Sequence, residues 1–334
     1  MPLDATLLPC RARVPFLTGA LSLTLALGLC APALAAPGAE EIDGASYEGG
    51  ALPDGQSGLT VKVQALLDRA GVSPGVIDGY KGGMSESAIR AFEAREGLEP
   101  DGMMDEAVWK ALGGPDGGAI TTEYTITEED ASVRDEPLPE DYAELAELDR
   151  LSYTAVTEAL AERFHMDEDF LKGLNPDAAF EAGETIRVID PGEDASGDVA
   201  SVTVDKASGR LVAKNAEGDT LTNYPVAVGS EQTPSPSGTV EVKAVAIEPT
   251  YSYRPDENFQ QGDNSEPLTL PPGPNGPVGL VWIDLSEPTY GIHGTPEPAK
   301  LFEERSHGCV RMTNWDAREL AQMIAAGASV EFVE

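Results

Sequence analysis

The sequence predicts a multidomain protein with a small helical unit, a small α+β unit, and a mainly β C-terminal domain that is sandwich-like and has a short C-terminal helix. The length of 334 residues suits two or three domains, and a hydrophobic content of 41% is enough to build their cores. Two stretches rich in Gly, Pro or acidic residues, 36–57 and 115–145, are predicted to be linkers. They leave folded units at 58–114, 146–192 and 198–334.

The chain is strongly acidic, with 58 Asp and Glu against 22 Lys and Arg and a formal net charge of −36. Such a surface repels nucleic-acid phosphates and anionic lipid headgroups, so neither is expected as a partner. The acidity is spread along the chain, which indicates a role in solubility. Recruitment of a basic ligand is the alternative.

Residues 1–35 have the composition of an export signal. Arg11 and Arg13 precede the uncharged, mostly apolar run 14–29, and an Ala-x-Ala pattern ends just before Ala36. The apolar run is shorter than the roughly 20 residues that a transmembrane helix needs. We therefore predict a cleaved signal peptide, with an uncleaved anchor as the alternative, and no integral membrane partner is implied.

The cysteine count singles out one residue. Cys10 and Cys30 lie in the signal region, so Cys309 would be the only cysteine of the mature chain. In an oxidising compartment most cysteines pair, and this one has no second cysteine to pair with. It is either a buried, inert thiol or one kept for its reactivity.

The unit 58–114 has three helical segments separated by turns. Ser85 is a candidate N-cap for the second helix, and Gly97 ends that helix. The unit contains, in order, Val63-Gln64-Ala65-Leu66-Leu67, Pro74-Gly75-Val76-Ile77-Asp78-Gly79, Ala88-Ile89-Arg90-Ala91-Phe92, Gly97-Leu98, Asp101-Gly102 and Trp109. This order resembles the small three-helix peptidoglycan-binding domain, which implies peptidoglycan as a partner. The sequence departs from the family at Glu93, where Gln is common.

The unit 146–192 combines two short helices with a strand. An amphipathic stretch surrounds Leu160, and 184–189 alternates like a strand. Its characteristic strings are Leu174-Asn175-Pro176 and Gly183-Glu184-Thr185-Ile186. This pattern resembles a LysM wall-binding module whose usual first strand is not evident. We predict that His165 is a satisfied surface or helix-end histidine rather than a ligand.

The final unit, 198–334, is predicted to be mainly β. Short alternating segments fall at 202–204, 211–214, 220–228, 240–247 and 279–284. The Pro- and Gly-rich segment 249–277 is too long for a simple turn and is a candidate lid. Thr313-Asn314-Trp315-Asp316 has the pattern of a capping box that opens a short helix, and 329–333 is expected to be a closing strand.

The residues suited to catalysis concentrate in 291–312. This segment holds two of the three histidines and the single cysteine of the mature chain, and His293 precedes Cys309 by 16 positions. A thiol needs a base or a positive neighbour to become nucleophilic near neutral pH. Three other interpretations stay open: a structural Cys309, a serine nucleophile at Ser306, and a metal site formed by His293, His307 and Cys309.

The same segment has the arrangement of a known catalytic signature. It reads Gly291-Ile292-His293-Gly294-Thr295 and then Ser306-His307-Gly308-Cys309-Val310-Arg311-Met312. Upstream lie Thr233-Pro234-Ser235-Pro236-Ser237-Gly238-Thr239 and Pro272-Gly273-Pro274-Asn275-Gly276-Pro277-Val278-Gly279. Together they resemble the L,D-transpeptidase catalytic domain across 198–334. The first upstream segment is longer than the commonest form in that family.

The resemblance implies the roles of nucleophile and base. Cys309 would attack a peptide carbonyl, and His293 would take the thiol proton and later return it to the leaving amine. Spacing alone does not decide between His293 and His307 as the base, but the family points to His293. The backbone carbonyl of Gly294 would orient the imidazole.

The resemblance also implies supporting roles. The backbone amides of Gly308 and Cys309 would stabilise the oxyanion. His307 would support the site, and Ser306 and Arg311 would hold the carboxylate or backbone of the substrate. No metal and no organic cofactor is implied.

The sequence therefore predicts an exported cysteine transpeptidase that acts on peptidoglycan stem peptides in the periplasm or cell wall. A Cys309 thioester would lead to cross-links or related wall linkages. The acceptor stays open: a stem amine, a protein lysine, or water, which would make the protein an L,D-carboxypeptidase-type hydrolase. A non-catalytic wall-binding protein is a further alternative, against which the paired His293 and Cys309 argue. The upstream units predict tethering to the wall.

Overall fold

The computed structural model describes residues 36–133, 136–256, 259–303, 306 and 308–334. The predicted signal peptide, 1–35, lies outside the described residues, and so does His307. Within the described ranges, no helix is long and apolar enough to cross a membrane.

The first unit is helical. Its helices are α1 (Ala39–Gly44), α2 (Gly58–Arg69), α3 (Gly83–Glu96) and α4 (Glu106–Ala111). The Ser57 hydroxyl caps α2 by accepting from the Thr60 amide, and α3 ends at Gly97, which adopts the left-handed conformation that favours glycine. α1 lies within 36–57, so part of this predicted linker is folded. The one buried residue of α1, Ile42, gives no helical periodicity to detect.

Gln64 organises the turn between α2 and α3. Its side-chain oxygen accepts from the Gly79 amide (2.8 Å), and its nitrogen donates to Asp78 Oδ1 (2.8 Å) and Ser85 Oγ (3.0 Å). Ser85 lies inside α3, because the N-cap of this helix is Gly82. The prediction that Ser85 is the N-cap is therefore wrong. Its hydroxyl makes a tertiary hydrogen bond that a local pattern does not reveal.

A β-α-α-β unit follows. It consists of β1 (Thr121–Thr125), α6 (Val156–Arg163), α7 (Glu168–Leu174) and β2 (Thr185–Ile189), with β1 antiparallel to β2. A single-turn helix, α5 (Tyr142–Leu145), lies between β1 and α6 in the chain and packs in a separate apolar cluster. The segment 115–145, predicted to be a linker, thus contains the first strand that the sequence did not show. Thr121 is the only buried residue of β1, so apolar alternation is missing, and Thr125 pairs with Thr185, 60 positions later. This unit and the helical unit share one continuous apolar core.

The C-terminal domain is built on one curled sheet. Its strands and the accompanying hairpin are β3 (Val199–Asp205), β4 (Arg210–Lys214), β5 (Thr220–Pro225), β6 (Gly238–Ile247), β7 (Tyr251–Tyr253), β8 (Leu268–Leu270), β9 (Val281–Leu285), β10 (Gly291–His293), β11 (Val310–Arg311) and β12 (Ile324–Val333). In the described residues the sheet has eight strands, in the order β11-β10-β9-β6-β12-β3-β4-β5. β6 pairs with β12 through its first residues and with β9 through its last, with an irregularity between Val242 and Ala244. This single sheet replaces the two facing sheets of the predicted sandwich.

The predicted C-terminal helix and closing strand are confirmed. Helix α8 (Asn314–Met323) begins where the Thr313 hydroxyl accepts from the Asp316 amide at 3.1 Å. Its buried residues Ala317 and Leu320 pack into the apolar core of the sheet. β12 follows directly and lies between β6 and β3.

The candidate lid, 249–277, contains the hairpin of β7 and β8. Tyr253 and Leu270 pack against Leu145 and Leu151 in a small apolar cluster of their own. The segment is therefore folded against residues that precede the catalytic domain. Its role as a lid stays a prediction.

The helical unit covers the edge of the sheet at β5. The Ser73 amide donates to the Asn223 carbonyl (2.9 Å), and the Asn223 amide donates to the Gly71 carbonyl (2.9 Å). Arg210, which is 3% exposed, donates to the Ser73 carbonyl (3.0 Å) and to both the side chain and the carbonyl of Asn223. These bonds satisfy an edge that would otherwise expose unpaired backbone groups. The helical and catalytic units thus meet at a buried polar junction.

Candidate active site

The segment with the predicted catalytic residues forms two adjacent parallel strands, β10 and β11. Ile292 lies opposite Val310, and His293 lies opposite Arg311. Ile292 and Val310 are fully buried in the core. Because side chains alternate along a strand, His293 and Arg311 lie on the other face. Cys309 is the residue directly before β11, so the sheet brings the predicted base and the backbone of the predicted nucleophile to neighbouring positions at the start of two paired strands.

His293 is held as a neutral base. Its Nδ1 donates to the Gly294 carbonyl at 2.7 Å, so Nε2 is the nitrogen left to accept a proton. The pKa of His293 is lowered to about 4, mainly by burial and also by the Arg311 guanidinium, while the Gly294 hydrogen bond opposes both. The imidazole is therefore unprotonated across the neutral range.

The Cys309 thiol is also neutral at rest. Its Sγ donates to the Thr289 carbonyl at 3.8 Å, and burial raises the pKa of the thiol above its ordinary value. Burial therefore disfavours the thiolate, so attack by this thiol would require a base to take its proton. Thr289, in the turn between β9 and β10, has φ of 72°, which is strained for a β-branched residue. The backbone carbonyl that accepts from Cys309 thus belongs to a strained residue, which the sequence did not indicate.

The loop before β11 is fixed by Ser306. Its hydroxyl donates to the Cys309 carbonyl and accepts from the Gly308 amide at 3.1 Å. Gly308 has φ of 117°, and a Cβ there would lie 2.7 Å from the Tyr290 ring, so only glycine fits. Ser306 is 5% exposed and its hydroxyl is engaged within the loop, while its predicted contact with substrate stays a prediction. The oxyanion role of the Gly308 amide stays a prediction, since that amide is bonded within the loop.

A second loop, which contains Thr233 and Ser235, supports the loop before β11. The sequence analysis matched this segment to the family but assigned no role to its residues. Ser235 Oγ donates to the Gly308 carbonyl (2.7 Å) and accepts from the Gly229 amide (2.9 Å). Thr233 Oγ1 donates to the Ser306 carbonyl (3.2 Å). These contacts cross about 70 positions of sequence, which is why no local pattern reveals them. They position the backbone that carries Cys309, the predicted nucleophile.

Of the two remaining predicted site residues, the structure describes Arg311 but not His307. The backbone of Arg311 pairs with Ala227 in both directions at 2.9 Å, which anchors β11, while its role toward substrate stays a prediction. His307 lies outside the described residues, so its supporting role and the alternative metal site that includes it stay untested. Among the described side chains, no group of three or more His, Cys, Asp or Glu could hold a metal ion.

Two regions of the chain match known families. Residues 200–332 match YkuD, described as "L,D-transpeptidase catalytic domain", and residues 56–112 match "Putative peptidoglycan binding domain". Neither match includes the β-α-α-β unit.

Curated relatives match the catalytic region. "Putative L,D-transpeptidase YkuD" of Bacillus licheniformis is 33% identical over 107 residues, which is 32% of this chain and 50% of the relative. Its namesake in Bacillus subtilis (strain 168) is 32% identical over 33% of this chain and 52% of the relative. "Probable L,D-transpeptidase YbiS" of Escherichia coli (strain K12) is 27% identical over 40% of this chain and 44% of the relative. The chain spans about half the length of the curated relatives it matches.

Solved structures align over somewhat less than half of the chain. An L,D-transpeptidase from Mycobacterium smegmatis is 16% identical with a TM-score of 0.34, over 46% of this chain and 75% of that chain. L,D-transpeptidase 1 of Mycobacterium tuberculosis is 14% identical with a TM-score of 0.31, over 46% and 67%. Scores at this level add nothing to the family matches. From those matches, the chain carries an L,D-transpeptidase catalytic domain at 200–332 and a peptidoglycan-binding domain at 56–112.

Proposed function

We propose that this protein is an exported L,D-transpeptidase that acylates its own Cys309 with a peptidoglycan stem peptide. The observation that carries the proposal is that Cys309 directly precedes β11, the strand paired with the one that holds His293, whose imidazole is oriented by Gly294. A thiol, a neutral base and an acceptor that orients the base are the components of cysteine acyl transfer.

In the first half-reaction, Sγ of Cys309 attacks the carbonyl carbon of the third residue of a stem tetrapeptide. His293 Nε2 takes the thiol proton as the S–C bond forms. The carbonyl oxygen becomes an oxyanion, for which the Cys309 amide is the candidate donor, because the Gly308 amide is bonded to Ser306. The C–N bond then breaks, His293 gives its proton to the leaving amino group, and a thioester remains.

In the second half-reaction, an acceptor resolves the thioester. An amine attacks the thioester carbon, His293 takes a proton from it, and the C–S bond breaks as the thiol regains that proton. The product is a new amide, and the enzyme returns to its starting state. If water is the acceptor, a free carboxylate results and the protein is a hydrolase.

Both upstream units belong to this proposal as wall-binding modules. The match over residues 56–112 supports peptidoglycan as the partner of the helical unit. The β-α-α-β unit is proposed as a LysM-like module, because β1 supplies the strand that pairs with β2, and α6 and α7 are the two helices between them that share its core. Export to the periplasm or cell wall is proposed from residues 1–35.

Product analysis tests the proposal. The mature protein is incubated with a disaccharide tetrapeptide, with Cys309→Ala as the control, and products are separated and weighed by mass spectrometry. A cross-linked dimer that is absent from the control supports transpeptidation. Tripeptide without any dimer supports hydrolysis, and no product from the folded wild-type protein contradicts the proposal.

A further inference from the structure

Trp282 lies directly across from the proposed base. It is in β9 opposite His293, and its indole stacks on the imidazole with ring centroids 5.7 Å apart and ring planes inclined by 23°. Its neighbours Val281 and Ile283 are fully buried in the core, so Trp282 lies on the face of the sheet that carries His293. The sequence analysis gave this residue no role.

Gly291 leaves the space that the indole occupies. A Cβ at this position would lie 2.5 Å from Cζ2 of Trp282, which is closer than two non-bonded carbons can approach. Gly291 is two positions before His293 and thus on the same face. The missing side chain lets the indole lie along β10 and reach the imidazole.

Further contacts hold the indole in place. Trp282 Nε1 donates to Asp284 Oδ1 at 3.3 Å, two positions further along β9. On the other side, Trp282 lies opposite Ala246 of β6, whose small side chain adds little bulk. The indole is therefore held at its nitrogen while its ring face covers His293.

We propose that Trp282 is a positioning residue, which fixes the plane of the His293 imidazole and keeps water from one face of that ring. The inference rests on the proposed function, because it assigns His293 the role of base. The Gly294 carbonyl holds one ring nitrogen, but a single hydrogen bond lets a ring swing about the contact. The indole removes this freedom. A misplacement of about 1 Å in a catalytic group can cost about 100-fold in rate.

The contact with Trp282 also contributes to the exclusion of water from the His293 imidazole. His293 is 6% exposed, and burial is the main cause of its lowered pKa. Without the indole, water reaches the ring, and the pKa should rise toward the ordinary value of about 6.5. A tryptophan that only stabilised the fold would leave this pKa unchanged.

Steady-state kinetics on the full mature chain provide the first test. In Trp282→Ala we expect kcat to fall about 10- to 100-fold with KM within about twofold, because the base is misplaced while substrate contacts remain. The acid limb of the pH profile should move to higher pH. Trp282→Phe keeps a stacking ring and should retain most of kcat. Met103→Ala, at a side chain 58% exposed in the helical unit, is the control.

Gly291→Ala approaches the same contact from the other side, because the new methyl group displaces the indole. We expect it to lower kcat as Trp282→Ala does. Added to Trp282→Ala, it should cause little further loss, since the indole it would displace is already gone. Losses that simply add would contradict the inference.

The NMR titration of His293 needs no substrate and is tractable because the chain has three histidines. A raised pKa of His293 in Trp282→Ala supports the inference. If the wild-type protein also forms no thioester, the proposed function fails while the inference about Trp282 stands. An unchanged pKa together with an unchanged kcat overturns the inference. If Trp282→Ala does not fold, Trp282→Phe and Gly291→Ala carry the same comparison.

Discussion

The active site and the junction between the units are both buried and polar, but they are assembled differently. The active site takes His293 and Cys309 from one short stretch of chain. At the junction, His165 donates to Asp68 Oδ2 at 2.7 Å across 97 positions, and Ser73 donates to Asp316 Oδ2 at 3.0 Å across 243 positions. A local motif can reveal the first arrangement, whereas only the fold creates the second.

The two regions also treat charge differently. At the active site, burial keeps both the imidazole and the thiol neutral at neutral pH. At the junction, the carboxyl group of Asp316 lies near that of Asp68, and burial together with this neighbour raises the pKa of Asp316 to about 7. This comparison predicts that variants of the active site change catalysis, whereas variants of the junction change stability.

The largest effect is expected at the base. His293→Ala should lower kcat/KM for thioester formation by about 10²- to 10⁴-fold, because the thiol proton loses its acceptor. Its thermal unfolding should stay close to that of the wild type. Steady-state kinetics and circular dichroism measure the two properties. Activity within threefold of the wild type would exclude His293 as the base and make His307 the candidate.

The next largest effect is expected in stability, at Arg210. Arg210→Met removes the charged donor that serves the Ser73 carbonyl and Asn223, so the free energy of unfolding should fall by about 2–3 kcal/mol. The folded variant should keep its kcat within about twofold. Denaturant unfolding and kinetics test both statements.

The matched control for Arg210 is Arg187→Met. Arg187 pairs with Glu123, and these side chains are 43% and 65% exposed. Losing an exposed pair should change the free energy of unfolding by less than about 0.5 kcal/mol. An equal loss in both variants would show that the junction is no more important than the surface.

A smaller effect on catalysis is expected from the supporting loop. Ser235→Ala removes the hydrogen bonds to Gly308 and Gly229, so kcat should fall about 5- to 10-fold, equivalent to one ordinary hydrogen bond. Ser237→Ala, at an exposed position two residues later, is the control. Equal kcat in the two variants would contradict a positioning role for Ser235.

The smallest effect concerns pH and stability. Burial raises the pKa of Asp316 and of Glu162 to about 7, and Asp68 raises the pKa of His165 despite the opposing effect of burial. Each group binds protons more tightly in the folded state, so its contribution is present at low pH and is lost as pH rises through the folded pKa. His293 acts in the opposite direction, but only between about pH 4 and 6.5.

The melting temperature should therefore fall between about pH 4.5 and 7, the range between the ordinary pKa of a carboxyl and the folded pKa of Asp316 and Glu162. The fall should amount to a few degrees after the opposing effect of His293, at about 2–4 °C per kcal/mol in domains of this size. Asp316→Asn should flatten this slope, because the carboxyl that faces Asp68 and Glu319 is gone. Calorimetry of the wild type and Asp316→Asn at three pH values measures the change of melting temperature with pH. A melting temperature that rises with pH in this window would contradict the charge assignments at the junction.

The sequence predicted what is encoded locally. Thr313 caps α8 as expected, and Cys309 and His293 were found from one segment. Features that depend on distant partners were missed: Ser85 bonds to Gln64 instead of capping a helix, and β1 needs β2 to become a strand. His165 follows a helix end as predicted, yet it packs against Trp315 in the junction rather than on the surface, with ring centroids 5.2 Å apart. Trp282 and Ser235 were missed because their partners, His293 and Gly308, become neighbours only in the folded domain.

The junction also changes how tethering should be tested. Deleting the upstream units would uncover β5 and leave Arg210 and Asn223 without the Ser73 and Gly71 partners they bond in the folded chain. Such a deletion would alter the stability of the catalytic domain as well as wall binding. Surface substitutions in the helical unit separate the two effects, because they leave the junction intact.

The most direct test of the central claim is the intact mass of the protein after a brief incubation with a disaccharide tetrapeptide. The account predicts that the wild-type protein gains the mass of the acyl group, that the modified residue maps to Cys309, and that His293→Ala gains it far more slowly. Cys309→Ala should gain none. An adduct on another residue, or an adduct that persists in Cys309→Ala, would contradict the account.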